Sequence, residues 1–491
     1  MIEIKHINVR NLTPPDCFVP NFVNMTALTK YIPCILLLAM FLGSCTQVSA
    51  ATEEREDCPE IIGPWPEYGK DGLPGIIRLT TDETLDMSVL YVPAKTAKAV
   101  WKINGEEKGQ GSDFSFTPES EGEFLLRLEV SNRSGIVWKE ARIIVTTPMA
   151  SGPFPIEKGV NIGNWLSQSS TRGGDRDKAF TEKDVKALAS YGFDHIRLPV
   201  DEEQLFDTAG NLDKEVLALV HRTIRYCRDA GMRVLFDLHI IRSHHFNDDV
   251  NPLWEVPAEQ EKLLEMWRAI DSELKVYPAD LVAYEFLNEP VADDPASWNS
   301  LYNRLIAQIR ETDKDRVLVI EANRWGGVRH IKDMDIPSDD TNLILQFHFY
   351  EPFLMTSYQA SWGKFADLDF STPMKYPGKL ISDAQYQALT DSEKALVQPY
   401  YKYYDKNTFA DMWRDAIRFA KDKGLRLYLG EFGCLSNCGK DNRNNWVSDI
   451  VDLCRENGIP YSWWEYNHSY GFADRSGNVI HPDLLEILTC Q

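Results

Sequence analysis

From Ile156 onward the sequence repeats one unit, a short continuous apolar run followed by an amphipathic stretch with helical spacing. Apolar runs fall at Gly159–Ile162, Phe193–Leu198, Val234–Leu238, Val282–Leu287, Val317–Ile320, Leu343–Phe347, Leu427–Gly430 and Tyr461–Trp464. Helical stretches are predicted at Glu182–Tyr191, Val216–Ala230, Ala258–Tyr277, Ala296–Thr312, Phe409–Lys423 and Asn445–Asn457. A strand that is apolar on both faces must be covered on both, and helical crossovers do this for a parallel sheet. Eight such repeats predict an α/β fold closed into a (β/α)8 TIM barrel rather than an open sheet. The longest insertion, Glu351–Asp405, follows the sixth strand without a clear period and is expected over the C-terminal face, where loops shape a ligand site.

The segment before the barrel has another texture. From Cys58 to Pro148 polar and apolar residues alternate, with strands predicted at Ser88–Val92, Ala99–Ile103, Phe124–Val130 and Ala141–Val145. Turn dipeptides such as Asn104-Gly105 and Ser134-Gly135 separate them. Closely spaced strands without a helical stretch predict a small all-β sandwich over residues 58–148, with the barrel at 153–491 beyond the boundary Met149–Pro153. Upstream, Lys30 precedes the apolar run Ile32–Leu42, which closes on Leu42-Gly43-Ser44-Cys45. That order of basic, apolar and small residues makes 1–44 a signal peptide, too short to span a bilayer. Residues ahead of Met25 resemble no leader, so Met25 is an alternative start. Residues 45–57 are polar, cannot bury apolar area and read as a flexible tether.

Charge and composition narrow the function. Asp and Glu number 74 against 52 Lys and Arg, a net charge of −22, and no basic stripe offsets it, which excludes nucleic acid as a partner. A hydrophobic share of 43% with 26% charged residues excludes disordered, collagenous and polytopic membrane chains. The 13 Trp and 20 Tyr offer flat apolar faces at low ordering cost, a hint of a stacking ligand such as sugar. Of nine cysteines, Cys58, Cys227, Cys434, Cys438, Cys454 and Cys490 lie beyond Cys45. Cys434 and Cys438 are close enough in sequence to pair, but buried or partly paired thiols are expected rather than a zinc site, which lacks a second ligand pair.

In a barrel, chemistry gathers just past the C-terminal ends of the strands. Asn161, Asn164, Arg197, His239, Asn288-Glu289, His348, Tyr350, Glu431 and Trp464-Glu465 collect there. Glu289 follows the fourth apolar run and Glu431 the seventh, on opposite sides of the mouth. Two carboxyls facing across a cleft with unequal proton affinities are what glycosidic bond cleavage needs.

Residues 156–490 resemble glycoside hydrolase family 5, the cellulase family of clan A. Ala283-Tyr284-Glu285-Phe286-Leu287-Asn288-Glu289-Pro290 is similar to its Asn-Glu-Pro acid/base motif, and Leu429-Gly430-Glu431-Phe432-Gly433 to its nucleophile motif. His195–Pro199, Asp237-Leu238-His239, Gln346–Phe353 and Ser462–Tyr466 resemble the blocks of strands two, three, six and eight. The resemblance implies a retaining double displacement with Glu289 as acid/base and Glu431 as nucleophile. It further implies that Arg197 keeps Glu431 ionised, that Tyr350 donates to the same carboxylate and that Asn288 bonds the sugar 2-hydroxyl. His239 and His348 would orient sugar hydroxyls and tune the proton on Glu289, and Trp464 would floor the cleaved sugar. No cofactor or metal is called for. His244-His245 with Asp248-Asp249 has metal-ligand residue types, but sugar contacts or solvent exposure are expected there. Trp165, Trp325 and Trp362 are open between stacking platforms and packing.

The expected substrate is a β-linked polysaccharide or oligosaccharide, foremost a β-1,4-glucan cut internally. A β-mannanase or an exo-acting β-glucosidase of the same family is the alternative. A catalytically dead, surface glycan-binding lipoprotein is the alternative of another class. The run from Val100-Trp101 to Gly122-Glu123-Phe124 resembles the PKD and immunoglobulin-like modules appended to secreted hydrolases, and a spacer is expected. Leu42-Gly43-Ser44-Cys45 resembles a bacterial lipobox, which implies acylation of Cys45 and export to the cell envelope, with the outer surface the useful place for a polymer-degrading enzyme. A monomer is expected.

Overall fold

Eight parallel strands close into a barrel in sequence order: β1 Lys158–Asn161, β2 His195–Val200, β3 Arg233–Leu238, β4 Val282–Glu285, β5 Leu318–Glu321, β6 Leu343–Phe349, β7 Arg426–Phe432 and β8 Tyr461–Trp463. The closing pair is β1 with β8, through Gly159 opposite Ser462. In this computed structural model the described residues are 58–63, 65–66, 74–81, 83–120, 122–146 and 154–489. The chain divides into two compact units, Met1–Thr146 and Thr147–Gln491. Cys45, the expected leader and tether, and Met149–Pro153 lie outside the described residues.

Helices α1 Glu182–Tyr191, α2 Lys214–Asp229, α3 Pro257–Leu274, α4 Pro295–Arg310, α5 Lys406–Lys423 and α6 Lys440–Glu456 are the crossovers. Their starts follow from local chemistry. Asp213 accepts from the Glu215 and Val216 backbone N–H groups, and Asp294 accepts from Ala296 just ahead of Pro295. Gly424, at φ +66°, ends α5 in the left-handed conformation that glycine adopts without strain. After β5 no α-helical crossover forms; a 3-10 turn, Val328–Asp333, stands in that place. The insertion after β6 is built from short helices, Phe353–Thr356, Asp383–Ala388 and Asp391–Val397, and a two-stranded pairing of Gly378–Lys379 with Tyr403–Tyr404. Leu354, Phe365, Leu380, Ile381 and Val397 bury it against the main core.

Within each buried strand the residues alternate between two destinations. Val160, Ile196, Leu198, Val234, Phe236, Leu318, Ile320 and Leu345 join the layer shared with the helices. Leu235, Ala283, Val319, Ile344 and Tyr428 point inward and pack on Phe154 and Ile156, which precede β1 and close the lower end. Above them the inward positions turn polar: Asn161, Arg197, Asp237, Glu285, Glu321 and Gln346 are all buried. This polar layer carries the site.

One irregularity aims it. Phe347 pairs with Leu429 but the next residue, His348, pairs with Glu431, so Gly430 is an extra residue in β7. A side chain at 430 would come 2.5 Å from the Gln346 amide carbon, so only glycine passes there.

In the N-terminal unit a five-stranded sheet runs in the order Gly75–Thr80, Gly135–Thr146, Gly122–Asn132, Lys98–Ile103 and Glu106–Gln110. Leu85–Ser88 pairs with Asp113–Phe116 apart from that sheet. Trp101 of the large sheet stacks on Phe114 of the small one at 4.8 Å, beside fully buried Leu126, Leu128 and Val130. The single strand predicted over Ser88–Val92 is two: Leu85–Ser88 and Tyr91–Val92, the latter paired with Glu60–Ile61. The two halves have different partners, so the chain changes sheets at buried Val89.

Candidate active site

Arg197, at the centre of β2, is fully buried and organises the top of the barrel. Its Nε and Nη2 donate to both oxygens of Glu285 at 2.8 and 2.6 Å. Nη1 donates to Glu431 Oε1 at 2.6 Å and to Asn161 Oδ1 at 3.0 Å. Nη2 also meets Asn288 Oδ1 at 2.8 Å and Asp237 Oδ2 at 2.9 Å. A planar fork of five donors suits a cage of carboxylates, which a lysine could not fill. Asn161 in turn donates to the Gly430 carbonyl at 2.9 Å, tying β1 to β7 beside Glu431.

Glu289 and Glu431 face each other across the mouth from the ends of β4 and β7. One oxygen of each and a ring nitrogen of His348 all lie within 4.8 Å of one another. Glu431 accepts from the Tyr350 hydroxyl at 2.9 Å. Glu289 sits at φ +46°, a backbone conformation unfavourable for a side chain with a Cβ, and its N–H is tied to Glu321 Oε2 at 2.9 Å. His348 Nδ1 lies 3.0 Å from Glu289 Oε1, 3.4 Å from Glu321 Oε1 and 3.7 Å from Glu431 Oε2. His239 Nδ1 is 2.6 Å from Asp237, its Nε2 is 3.0 Å from the Gln168 amide, and its ring lies parallel to that of Trp464 at 5.7 Å.

The two glutamates are electrostatically unequal. Burial and the charge of Glu431 hold the Glu289 carboxyl well above the usual range. Burial raises Glu431 as well, but Arg197 and the Tyr350 hydroxyl pull it back. Of the pair, Glu289 keeps the proton. Burial drives His239 down to about 4 and His348 well below the ordinary histidine value, so both rings are neutral near pH 7. Burial and neighbouring Glu431 push the Tyr350 phenol well above its usual range, so it remains a donor.

Sequence reasoning passed over part of this machinery. Glu285, Glu321 and Gln346 were not singled out, although a charged or amide residue inside an apolar run is itself the signal: buried there, it needs a partner. Of the open tryptophans, Trp165 is core, 3% exposed with its indole N–H on the Arg176 carbonyl. Trp325 and Trp362 are 49% and 61% exposed. Trp325 and Arg324 both stand at φ +58°, and the Trp325 N–H reaches the Phe246 carbonyl at 2.7 Å. His244 is not exposed; it is buried edge-on against Trp254. His245 is partly exposed and stacks on Phe246 at 4.8 Å. Cys434 and Cys438 are buried with sulfurs 3.4 Å apart.

A closed parallel barrel whose mouth holds two facing, unequal glutamates under one arginine defines a glycosidase-type site. The Cellulase (glycosyl hydrolase family 5) sequence model matches residues 157–469. Endoglucanase C of Acetivibrio thermocellus is 30% identical over 344 residues, 67% of this chain and 97% of its own. Cellodextrinase A of Ruminococcus flavefaciens is 26% identical, over 62% of this chain and 83% of its own. In fold, Cel5A of Thermotoga maritima, solved with mannotriose, superposes with a TM-score of 0.56 at 22% identity, covering 69% of this chain and 98% of that one. The chain belongs to glycosyl hydrolase family 5 and is an O-glycosyl hydrolase.

Proposed function

We propose that the protein is an endo-β-1,4-glucanase that cleaves cellulose-like or mixed-linkage chains by retaining double displacement. The carrying observation is the close approach of Glu289 and Glu431, one oxygen of each lying within 4.8 Å of the other. Inverting enzymes need roughly 6.5–9.5 Å between carboxyls to seat a water, whereas retention needs about 5–5.5 Å. Glu431, bonded by Arg197 and Tyr350, attacks the anomeric carbon while Glu289 protonates the departing oxygen. Glu289 then takes a proton from water, which displaces Glu431 and releases the sugar with its configuration kept. Asn288, with Oδ1 held by Arg197, keeps Nδ2 for the 2-hydroxyl, and Trp464 floors the cleaved sugar. Exposed Trp325 and Trp362 are candidate platforms for further sugar units.

Endoglucanase names among the relatives support the glucan substrate. The test is product analysis on β-glucans, mannan and xylan, with the anomer followed by NMR in the first minutes. Internal cleavage of β-1,4-glucan giving the β-anomer first is expected. Mannan as the preferred substrate, or glucose released from chain ends, would replace the substrate assignment; an α-anomer first would overturn the mechanism.

We further propose that 58–148 is a PKD/immunoglobulin-like spacer, that 1–44 is a lipoprotein leader and that acylated Cys45 anchors the enzyme at the bacterial envelope through the tether 45–57. The motif Leu42-Gly43-Ser44-Cys45 supports the anchor. Several acyl chains give stable attachment where one is marginal. Among the described residues no helix is long and apolar enough to cross a membrane. Fractionation tests this: membrane-bound enzyme is expected, and release by Cys45→Ala with an ordinary signal peptide supplied.

A further inference from the structure

The segment that follows β7 holds a pair of thiols to which the double displacement gives no task. Cys434 and Cys438 are 1% and 3% exposed, with sulfurs 3.4 Å apart. The chain reaches the second of them through a 3-10 turn, Ser436–Cys438, and Gly439 at φ +94° then leads into α6. Their remaining contacts are weak. Both thiols have the same acceptor, the Leu435 carbonyl, at 3.7 and 3.2 Å, and Cys438 also reaches the Gly439 carbonyl at 3.6 Å. A thiol is a weak donor, so giving these bonds up costs little. Among the described residues neither sulfur belongs to a group of three side chains that could hold a metal ion.

We propose that Cys434 and Cys438 are a disulfide site, and that the crosslink braces the turn behind the end of β7 that carries Glu431. A disulfide needs its sulfurs about 2.05 Å apart, so closure asks each to move only about 0.7 Å. The oxidant is itself a disulfide, that of a small thiol or of a thiol oxidoreductase. The thiolate of one cysteine attacks it, forming a mixed disulfide and expelling one thiol of the oxidant. The other cysteine, losing its proton, attacks the bonded sulfur of the first and expels the second thiol. Two protein thiols thus lose two electrons and two protons, and the oxidant's disulfide becomes two thiols. The exchange needs a thiolate, and in the folded protein burial holds the Cys434 thiol well above its usual range. The crosslink therefore forms during folding, while the turn is still open, and is afterwards shielded from reductants. Its place defines what it holds. The Leu435 N–H donates to the Thr356 carbonyl at 2.9 Å, and the Thr356 hydroxyl donates to the Tyr350 carbonyl at 2.6 Å. Tyr350 in turn donates to Glu431 at 2.9 Å. Ahead of the pair, Gly433 is wedged where a Cβ would come 2.6 Å from the Trp464 carbonyl oxygen. Fixing the turn thus fixes the backing of Tyr350, and through it Glu431.

The thiols can be followed directly. The full chain, unfolded and reduced, is refolded in a buffer of reduced and oxidised glutathione, alkylated under denaturing conditions without further reduction and mapped by peptide mass. Protein taken from the producing cells is alkylated in the same way. The peptide spanning Cys434 and Cys438 is expected unlabelled and lighter by two hydrogens, and labelled at both positions when reduced first, while buried Cys227 and Cys454 carry label from the outset. Label on both thiols of the turn in each preparation overturns the proposal, as does glutathione on either of them in place of the internal bond. The bracing is read from the thermal midpoint by circular dichroism. A short ring constrains the unfolded chain less than a long one, so wild type refolded under dithiothreitol alone should melt only about 2–5 °C below the crosslinked form. Cys438→Ser, refolded under the two conditions, should give a single midpoint. Equal midpoints for the two wild-type forms overturn the bracing, and so does a gap that persists in the variant. If the variant does not fold, the two wild-type forms decide.

Discussion

Glu431 and Glu289 differ in what their removal should cost. Glu431→Gln deletes the charge of the proposed nucleophile with little change of shape, so turnover is expected below about a thousandth of wild type while glycan binding, followed by calorimetry, persists. Glu289→Ala should lose most on poor leaving groups and little on activated ones, with azide restoring rate, because such substrates need no proton. Comparable losses on both would assign the acid elsewhere. The wild-type kcat/KM profile should be bell-shaped with its signs fixed by the site. Activity falls as pH drops through the Glu431 value, where the nucleophile becomes protonated, and falls again as pH rises through the Glu289 value, where the acid is lost. Arg197→Lys keeps a cation but breaks the fork to Glu285 and Glu431. Glu431 should then protonate more readily, moving the acid limb to higher pH, with stability down by about 1–3 kcal/mol in urea unfolding.

At the scale of elements, the eight strands were legible because buried parallel strands read as apolar runs, and each lies within two residues of its predicted edge. The facing glutamates were legible for the same reason: Glu431 follows the seventh run directly, and Glu289 follows the fourth after Asn288. The bulge at Gly430 was not, since one extra residue in β7 leaves the apolar pattern of Leu427–Leu429 untouched and shows only in the pairing with β6. Nor was the Glu351–Asp405 insertion, whose helices are too short to display a period; Ser382 with Gln385 and Thr390 with Glu393 do form capping boxes that the sequence spells. The split at Val89 escaped because alternation persists across a change of sheet. Gly430→Ala tests the bulge. Its Cβ would displace Gln346, which donates to Glu285 at 2.5 Å, so about 1–3 kcal/mol of stability should go together with most of kcat. Activity at the wild-type level would mean that Gly430 is not what aims Glu431.

Among the described residues the hydrophobic cores are separate, one around Trp101 in the first unit and, in the second, a layer between strands and helices with a smaller set inside the barrel. Each unit encloses its own buried set, so a chain beginning at Phe154 is expected to fold and to hydrolyse soluble cello-oligosaccharides with kcat/KM close to that of the full chain. A large loss would show that the barrel depends on the N-terminal unit. Within the barrel, by contrast, nothing at the mouth is independent. A single guanidinium meets Asp237, Glu285, Asn288, Asn161 and Glu431 at once. In the language of descent, that layer is inherited as a block: a change at any member alters the fitness of changes at the others, and two glutamates grafted onto a foreign barrel would arrive without their settings. The loops above it can drift one residue at a time, and new substrates are to be sought there.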